Sequence, residues 1–95
     1  MMELQRPVAR YRVHGADDPE LVPRVFGQFA RRGLVPAFAL IRRSAGLIRM
    51  QIEADVADSH TAHILAETLR SQFLIEEVTL DYGGDGGDGG DSVTA

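Results

Sequence analysis

Hydrophobic and polar residues alternate along this chain with two periods, which follow one another in a regular order. Period-two segments predict half-buried strands, because successive side chains of a strand point to opposite sides of a sheet. Segments whose apolar residues recur every three to four positions predict amphipathic helices. The segments, in chain order, are PVARYRVHG, PELVPRVFGQFARRG, LVPAFALIRR, LIRMQIEADV, DSHTAHILAETLRSQF and IEEVTLDY, which predict strand, helix, strand, strand, helix and strand.

With right-handed crossovers, this βαββαβ order predicts an α+β, ferredoxin-like sandwich. Its four-stranded antiparallel sheet has the strand order 4-1-3-2 and carries two helices on one face. This order places the arginines of the first strand beside acidic residues of both neighbouring strands: Arg10 and Arg12, with Glu77 and Asp81 on one side and Glu53 and Asp55 on the other. Opposite charges on neighbouring strands contribute about 0.2–1 kcal/mol each, so the charges agree with the proposed neighbours.

The first helix has a core stripe of apolar residues four positions apart: Leu21, Val25 and Phe29. Asp18 is a candidate N-cap with Pro19 at the first helical position, and Gly33 is a candidate for the residue that ends the helix. Pro23 fits this start poorly, because it has no N–H to donate to the Pro19 carbonyl. The alternative is a helix that begins nearer Glu20.

The second helix follows a capping residue, Asp58 or Ser59, and its predicted core stripe is again apolar: Ala62, Leu65, Leu69 and Phe73. The strand before it alternates between inward apolar residues and outward polar ones. A turn over residues 44–46 joins that strand to the one preceding it, so these two strands should form a hairpin.

The second strand is apolar on both predicted faces, Leu34, Pro36, Phe38 and Leu40 on one and Val35, Ala37, Ala39 and Ile41 on the other. The topology nevertheless makes it an edge strand, and Pro36 suits only an edge. An exposed apolar edge favours aggregation unless something covers it. We therefore expect a homodimer, or pairing with another chain, through this strand. The alternative is that the helix layer buries it.

Composition limits the chemistry. The chain has 95 residues, enough for one domain, which we place at residues 8–82 after a lead-in of residues 1–7. Cysteine and lysine are both absent, which excludes disulfides, thiolate metal sites and Schiff-base chemistry. No apolar run suggests a membrane span or a signal peptide, so a cytoplasmic location is expected. Outside the tail the charges nearly balance, which gives no indication of nucleic-acid binding.

Residues 83–95 repeat Gly-Gly-Asp and hold three of the 14 acidic residues of the chain, whose net charge is -4. They offer almost nothing apolar to bury, so a flexible acidic tail is expected. Calcium-binding glycine-aspartate repeats are nonapeptides with an apolar position, and a period of three does not match them.

No catalytic site or cofactor is expected from the residue types present. His60 and His63 lie three residues apart on the second helix, near enough for one metal ion with Asp58 as a third ligand, but no fourth ligand is evident. Two exposed histidines are the simpler interpretation, and we predict no metal. The loop after the first strand, HGADDPE, is acidic and lacks the Cys-x-x-Cys motif, so neither acyl-phosphate hydrolysis nor metal transfer fits. RNA recognition would need exposed aromatics on the first and third strands, and the predicted polar faces of these strands have no phenylalanine, tyrosine or tryptophan.

The loop and first helix, HGADDPELVPRVFGQFARRGL, resemble the ACT domain, a small regulatory module of amino-acid metabolism. Its usual pattern is Asp-x-Pro-Gly-x-Leu-x-x-Val followed by Arg-Gly, and the residues that fit are Asp17, Pro19, Val22, Val25, Arg32 and Gly33. The resemblance runs from about Arg10 to Tyr82. Within ACT proteins, DPELVPRV and ARRGL are most similar to the short, single-domain small subunits of acetolactate synthase.

This resemblance implies a non-catalytic subunit that binds and activates the thiamine-diphosphate-dependent large subunit in branched-chain amino-acid biosynthesis. The positions matching the effector loop are Asp17, Asp18, Pro19, Glu20, Leu21 and Val22. Glu20 replaces the loop glycine that lets the backbone approach an amino-acid ligand, and Val35 replaces an effector-binding asparagine. These two departures argue against an amino-acid effector. Candidate interface residues are Arg24, Gln28, Arg31, Val35, Pro36, Phe38 and Leu40, with the polar sheet face as a further possibility.

Two other functions remain open from the sequence. One is an ACT domain that senses an amino acid or another small metabolite for a different partner. The other, a freestanding enzyme, lacks any evident arrangement of nucleophile and base.

Overall fold

The computed structural model describes residues 7–83 of the chain. The elements, in order, are β1 (Val8–Ala16), α1 (Leu21–Arg31), β2 (Pro36–Ser44), β3 (Leu47–Asp55), α2 (Ser59–Arg70) and β4 (Ile75–Tyr82). The strands form one antiparallel sheet in the order β2-β3-β1-β4, as predicted for the ferredoxin-like sandwich. The lead-in and the Gly/Asp-rich tail lie outside the described residues, except for Pro7 and Gly83.

Both helices pack on the same face of the sheet, around Tyr11 of β1. The Tyr11 ring meets Phe29 of α1 edge-on at 5.4 Å between centroids. Its hydroxyl donates a hydrogen bond of 2.9 Å to the Ala62 carbonyl oxygen of α2. Tyr11 is fully buried, and this burial raises the pKa of its hydroxyl far above the usual range. The phenol therefore stays neutral and joins both helices to the sheet.

Helix α1 begins at Leu21, so the prediction that Asp18 caps it is wrong and the alternative start near Glu20 is correct. Asp18 instead accepts a hydrogen bond from the Glu20 N–H, at 2.8 Å, in the turn before the helix. The later start explains Pro23, because a residue in the first helical turn needs no N–H donor. At the other end Gly33 has φ +69°, as predicted for the terminating residue. The N–H groups of Gly33 and Leu34 close a Schellman motif.

Helix α2 starts with Asp58 as its N-cap and ends at Arg70. The Asp58 carboxylate accepts hydrogen bonds from the Thr61 N–H at 2.8 Å and from its hydroxyl at 3.1 Å. These bonds hold the pKa of Asp58 below its usual value. Because the helix ends before Phe73, this side chain is 96% exposed and the prediction that it belongs to the core is wrong.

Strand β2 contains a bulge that changes which residues share a face. Pro36 pairs with Ala54, whereas Phe38 pairs with Glu53, the adjacent residue of β3. An advance of two residues along β2 therefore corresponds to one residue along β3. Phe38 and Leu40 therefore lie on the open face of the sheet, away from the helices. Grouping Pro36 with them was wrong, because the alternation is interrupted at the bulge.

The helix layer does not cover β2. All of its residues after Pro36 are exposed, and Ile41, on the helix side, is still 45% exposed. Val35, 81% exposed, precedes the strand. The interpretation that the helix layer buries this strand is therefore wrong within the chain, and the predicted homodimer through β2 stays a prediction.

Candidate functional site

The predicted effector site, Asp17 to Val22, spans the β1–α1 loop and the start of α1, and its polar groups bond to one another and to neighbouring elements. The Asp17 carboxylate accepts hydrogen bonds from Arg43 Nε of β2 at 2.8 and 3.0 Å. This contact raises the pKa of the Arg43 guanidinium. Glu20 Oε1 accepts bonds of 3.0 and 2.7 Å from Arg24, one helical turn later. Ion pairs therefore engage both Asp17 and Glu20.

The apolar residues of the predicted site divide between surface and core: Pro19 of the loop is exposed, whereas Leu21 and Val22 are the first residues of α1. Leu21 is fully buried and Val22 is half-buried against the core, so neither is placed to contact a ligand from solvent. Beside Asp18 and Glu20 lies an open depression of about 270 Å³, walled by Arg24, Phe73 and Leu74. Sequence reasoning missed Phe73 here, because its helical spacing indicated a core position.

The candidate interface residues on α1 face the groove between the two helices. Arg24, Gln28 and Arg31 line a cleft of about 660 Å³ together with Arg32, Thr68 and Gln72. Arg32 bridges the helices: it donates to the Gln28 side chain and to the Thr68 hydroxyl, each at 3.2 Å. This cleft is a polar, cationic surface on the helix layer.

The other candidate interface residues lie on a different surface. Phe38 and Leu40 are about half exposed on the open sheet face. Pro36 and Val35 lie at the start of β2 and just before it. The predicted interface residues thus form two separate surfaces, one on the helix layer and one along the edge strand.

The open face of the sheet is ordered in cross-strand rows that the register defines. One row is Phe38, Glu53, Arg10 and Asp81; the next is Leu40, Gln51, Arg12 and Thr79; the last is Arg42, Arg49, His14 and Glu77. The predicted partnership of Arg10 with Glu53 is present, with Nε 3.2 Å from the carboxylate. Arg12, in contrast, faces Gln51 and Thr79, and Glu77 lies 3.5 Å from His14.

The histidines of α2 do not converge on a metal-binding geometry. His63 Nδ1 lies 2.8 Å from the Ser59 carbonyl oxygen, and the Asp58 carboxylate is engaged by Thr61. Within residues 7–83, no three His, Cys, Asp or Glu side chains come together in a way that could hold a metal ion. Over the same residues, neither helix combines the length and apolarity needed to cross a bilayer.

The order of the elements and of the strands is that of a small module of the ACT type. Residues 3–84 match the ACT-like domain family, and the chain therefore belongs to that family. No curated protein sequence gives a significant match to this chain.

Solved structures show the same fold at low sequence identity. The ACT domain of GTP pyrophosphokinase from Chlorobium tepidum superposes with a TM-score of 0.69 at 15% identity, covering 77% of this chain and 95% of that one. The C-terminal domain of MgtC from Mycobacterium tuberculosis gives 0.67 at 10% identity, covering 90% and 96%. The ligand-free regulatory subunit of aspartate kinase from Thermus thermophilus gives 0.64 at 16% identity, covering 81% and 51%. The fold is thus one that a regulatory subunit also uses.

Proposed function

We propose that this chain is a non-catalytic regulatory subunit that binds and activates the large, thiamine-diphosphate-dependent subunit of acetolactate synthase. Its membership of the ACT-like family supports a regulatory role. The motifs DPELVPRV and ARRGL, which resemble the short small subunits of that enzyme, favour this partner. The single observation that carries the proposal is an ACT-like domain whose effector-loop carboxylates Asp17 and Glu20 are already ion-paired.

The ion pairs favour a partner-binding role over an effector-binding role for this loop. An amino-acid ligand would have to displace Arg24 from Glu20, or present its own carboxylate to two acidic side chains. Val35, at the position of an effector-binding asparagine, has no side-chain hydrogen-bonding group. Regulation would then act through a protein interface, by contacts that favour the active conformation of the large subunit.

A homodimer through β2 belongs to the same proposal. Phe38, Leu40 and Ile41 are each 43–46% exposed along an edge whose backbone groups can pair with another strand. A second copy would cover this edge and extend the sheet. It would also add buried surface to a domain too small to bury much by itself.

The test is co-purification of this chain with the acetolactate synthase large subunit of the same organism, followed by activity assays with and without the chain. A stable complex with raised activity is the expected result. A chain that neither binds nor activates the large subunit would refute the proposal and leave only the family assignment. Addition of valine to the active complex should change its activity little, because the loop is already ion-paired.

The alternative function is an ACT domain that senses a small metabolite for another partner. The depression beside the loop favours it, because Glu20, Arg24 and Phe73 place a carboxylate, a guanidinium cation and an aromatic ring within one site. A free amino acid has groups complementary to all three. Valine, leucine or isoleucine at 100 times its Kd would stabilise the fold by about 2.7 kcal/mol, which a thermal-shift assay would detect easily.

A further inference from the structure

The open face of the sheet carries a cluster of arginines that form no ion pair with a carboxylate. We call Arg12, Arg42 and Arg49 the basic patch. All three side chains are exposed, and no carboxylate of residues 7–83 lies within ion-pair distance of them. Arg10, Arg24, Arg43 and Arg70, by comparison, each have a carboxylate partner. The patch is therefore a concentration of uncompensated positive charge on a chain whose net charge is -4.

The strand register forces these charges together. Arg42 of β2 lies directly opposite Arg49 of β3, and Arg49 lies directly opposite His14 of β1. Like charges in directly opposed positions destabilise a sheet. The nearest acid of this row, Glu77, lies beyond His14 and contacts it at 3.5 Å. The arrangement thus reduces the stability of the free domain, and an anionic occupant would relieve the repulsion.

Apolar surface adjoins the basic patch. A depression of about 280 Å³ is bounded by the patch, His14, Leu40 and Gln51. Leu40 is 43% exposed, and Phe38, 46% exposed, lies in the row next to it. An occupant should therefore combine carboxylates with apolar side chains. That combination is typical of an acidic segment of a protein, in which leucine or another apolar residue lies between glutamates or aspartates.

We infer that the basic patch docks an acidic, partly apolar segment of a protein partner. The inference rests on the proposed function only in assuming that a protein partner exists. A nucleic acid is less suited than a short acidic segment, because a continuous phosphate backbone would extend beyond the patch and meet Glu77 and Asp81 on β4. Strands β1 and β3 also present no phenylalanine, tyrosine or tryptophan on this face on which bases could stack.

The test is an NMR titration of the full chain with a short synthetic peptide that alternates glutamate and leucine. The same peptide with glutamine in place of glutamate is the ligand control. We expect amide shifts centred on β1, β2 and β3 around the patch, and loss of binding to the glutamine peptide. Shifts centred on the α1–α2 cleft instead would overturn the inference, as would preferential binding of a single-stranded RNA oligonucleotide.

Matched variants distinguish binding at the basic patch from a general attraction between the peptide and any positive charge of the chain. Arg49→Gln should weaken peptide binding about threefold, and Arg42→Gln with Arg49→Gln about tenfold, since exposed ion pairs contribute modestly. Arg31→Gln removes the same charge from an exposed position in the other layer and should change the affinity little. Equal losses in the Arg31 and Arg49 variants would contradict a localised site.

A second measurement needs no ligand. Because Arg42 and Arg49 repel each other, Arg49→Gln should raise the Tm of the free chain, by about 1–5 °C at low salt. The increase should shrink in high salt, where the repulsion is screened. A lower Tm for Arg49→Gln would contradict the premise that repulsion within the patch destabilises the free chain.

Other occupants predict different results. If the chain's own tail filled the basic patch, replacing Asp85, Asp88 and Asp91 with asparagine would shift the patch resonances without any peptide. If a second copy filled the basic patch, diluting the chain in the absence of peptide would shift the patch resonances. Either result would overturn the inference.

The two proposals can fail separately. Loss of peptide binding with retained large-subunit binding refutes only the patch. Peptide binding without large-subunit binding refutes only the proposed partner.

Discussion

Gly15 occupies a position at the end of β1 where even one methyl group should be costly. A Cβ built on Gly15 would lie 2.8 Å from the Leu74 carbonyl oxygen and 2.8 Å from Leu21 Cδ1. The Leu21 side chain is fully buried and has little room to move. The Leu74 carbonyl accepts a hydrogen bond of 2.9 Å from the Ala16 N–H, so moving it would strain the junction of β1 and β4. Gly15→Ala should therefore destabilise the fold.

The magnitude follows from two opposing effects. Overpacking of this kind costs about 1–3 kcal/mol. Replacing glycine lowers the conformational entropy of the unfolded chain, which stabilises the fold by about 0.4–1 kcal/mol. The midpoints of these two ranges leave a net loss of about 1.3 kcal/mol, and for a domain of this size each kcal/mol lowers the Tm by about 4–8 °C.

Gly27, in the middle of α1, provides the matched control. A Cβ there would meet no heavy atom within 4 Å, so Gly27→Ala adds a methyl group without a clash. Alanine is the better helix former by about 0.8–1.0 kcal/mol, and this variant should raise the Tm. The assay is thermal and urea unfolding followed by circular dichroism, at one chain concentration for all three proteins. A Gly15→Ala variant at least as stable as the parent would refute the packing argument.

Three further predictions concern the core, a helix cap and the edge strand. Tyr11→Phe should cost about 0.5–1.5 kcal/mol in urea unfolding, since it removes one buried hydrogen bond; no loss would mean that the phenol does not join β1 to α2. Asp58→Ala should lower the Tm at neutral pH by removing the bonds from Thr61. The pKa of Asp58 is depressed in the fold, so its contribution is present above the unfolded value of about 3.9 and lost as the pH falls through the folded value. The Tm difference from the parent should therefore shrink in acid, and a difference independent of pH would contradict this cap. Phe38→Lys should weaken self-association in sedimentation experiments, whereas Phe73→Lys, at an exposed aromatic away from the edge, should not; equal effects would argue against a dimer through β2.

The fold was predictable from sequence because local periodicity determines each element's buried face. The alternation in β1 and β3 and the four-residue spacing in α1 correspond directly to the observed core. Errors arose where one residue breaks a period. The bulge before Phe38 changed the faces of β2, and the end of α2 at Arg70 left Phe73 in solvent.

The candidate sites were less predictable, because they depend on contacts between residues distant in sequence. The pairing of Asp17 with Arg43 joins a loop to the far end of the edge strand, and nothing local indicates it. The juxtaposition of Arg42 and Arg49 depends on the hairpin register. Sequence reasoning could not place these arginines together, since the rows they share exist only in the assembled sheet.

Strand β2 contributes both to the proposed dimer edge and to the basic patch. Arg42 and Leu40 belong to the strand proposed to pair with a second copy, yet their side chains point to the open face and not along the edge. Antiparallel pairing of two β2 strands would extend the sheet and leave both basic patches on one continuous face. A partner with two acidic segments could then bind both patches. The second segment would bind within the complex, at a high effective concentration, so the overall affinity would rise without any new kind of interaction. Dimerisation would therefore strengthen docking on the patch, so Ile41→Lys, which changes the same edge strand on its helix side, should reduce the affinity for a bivalent acidic peptide more than for a monovalent one.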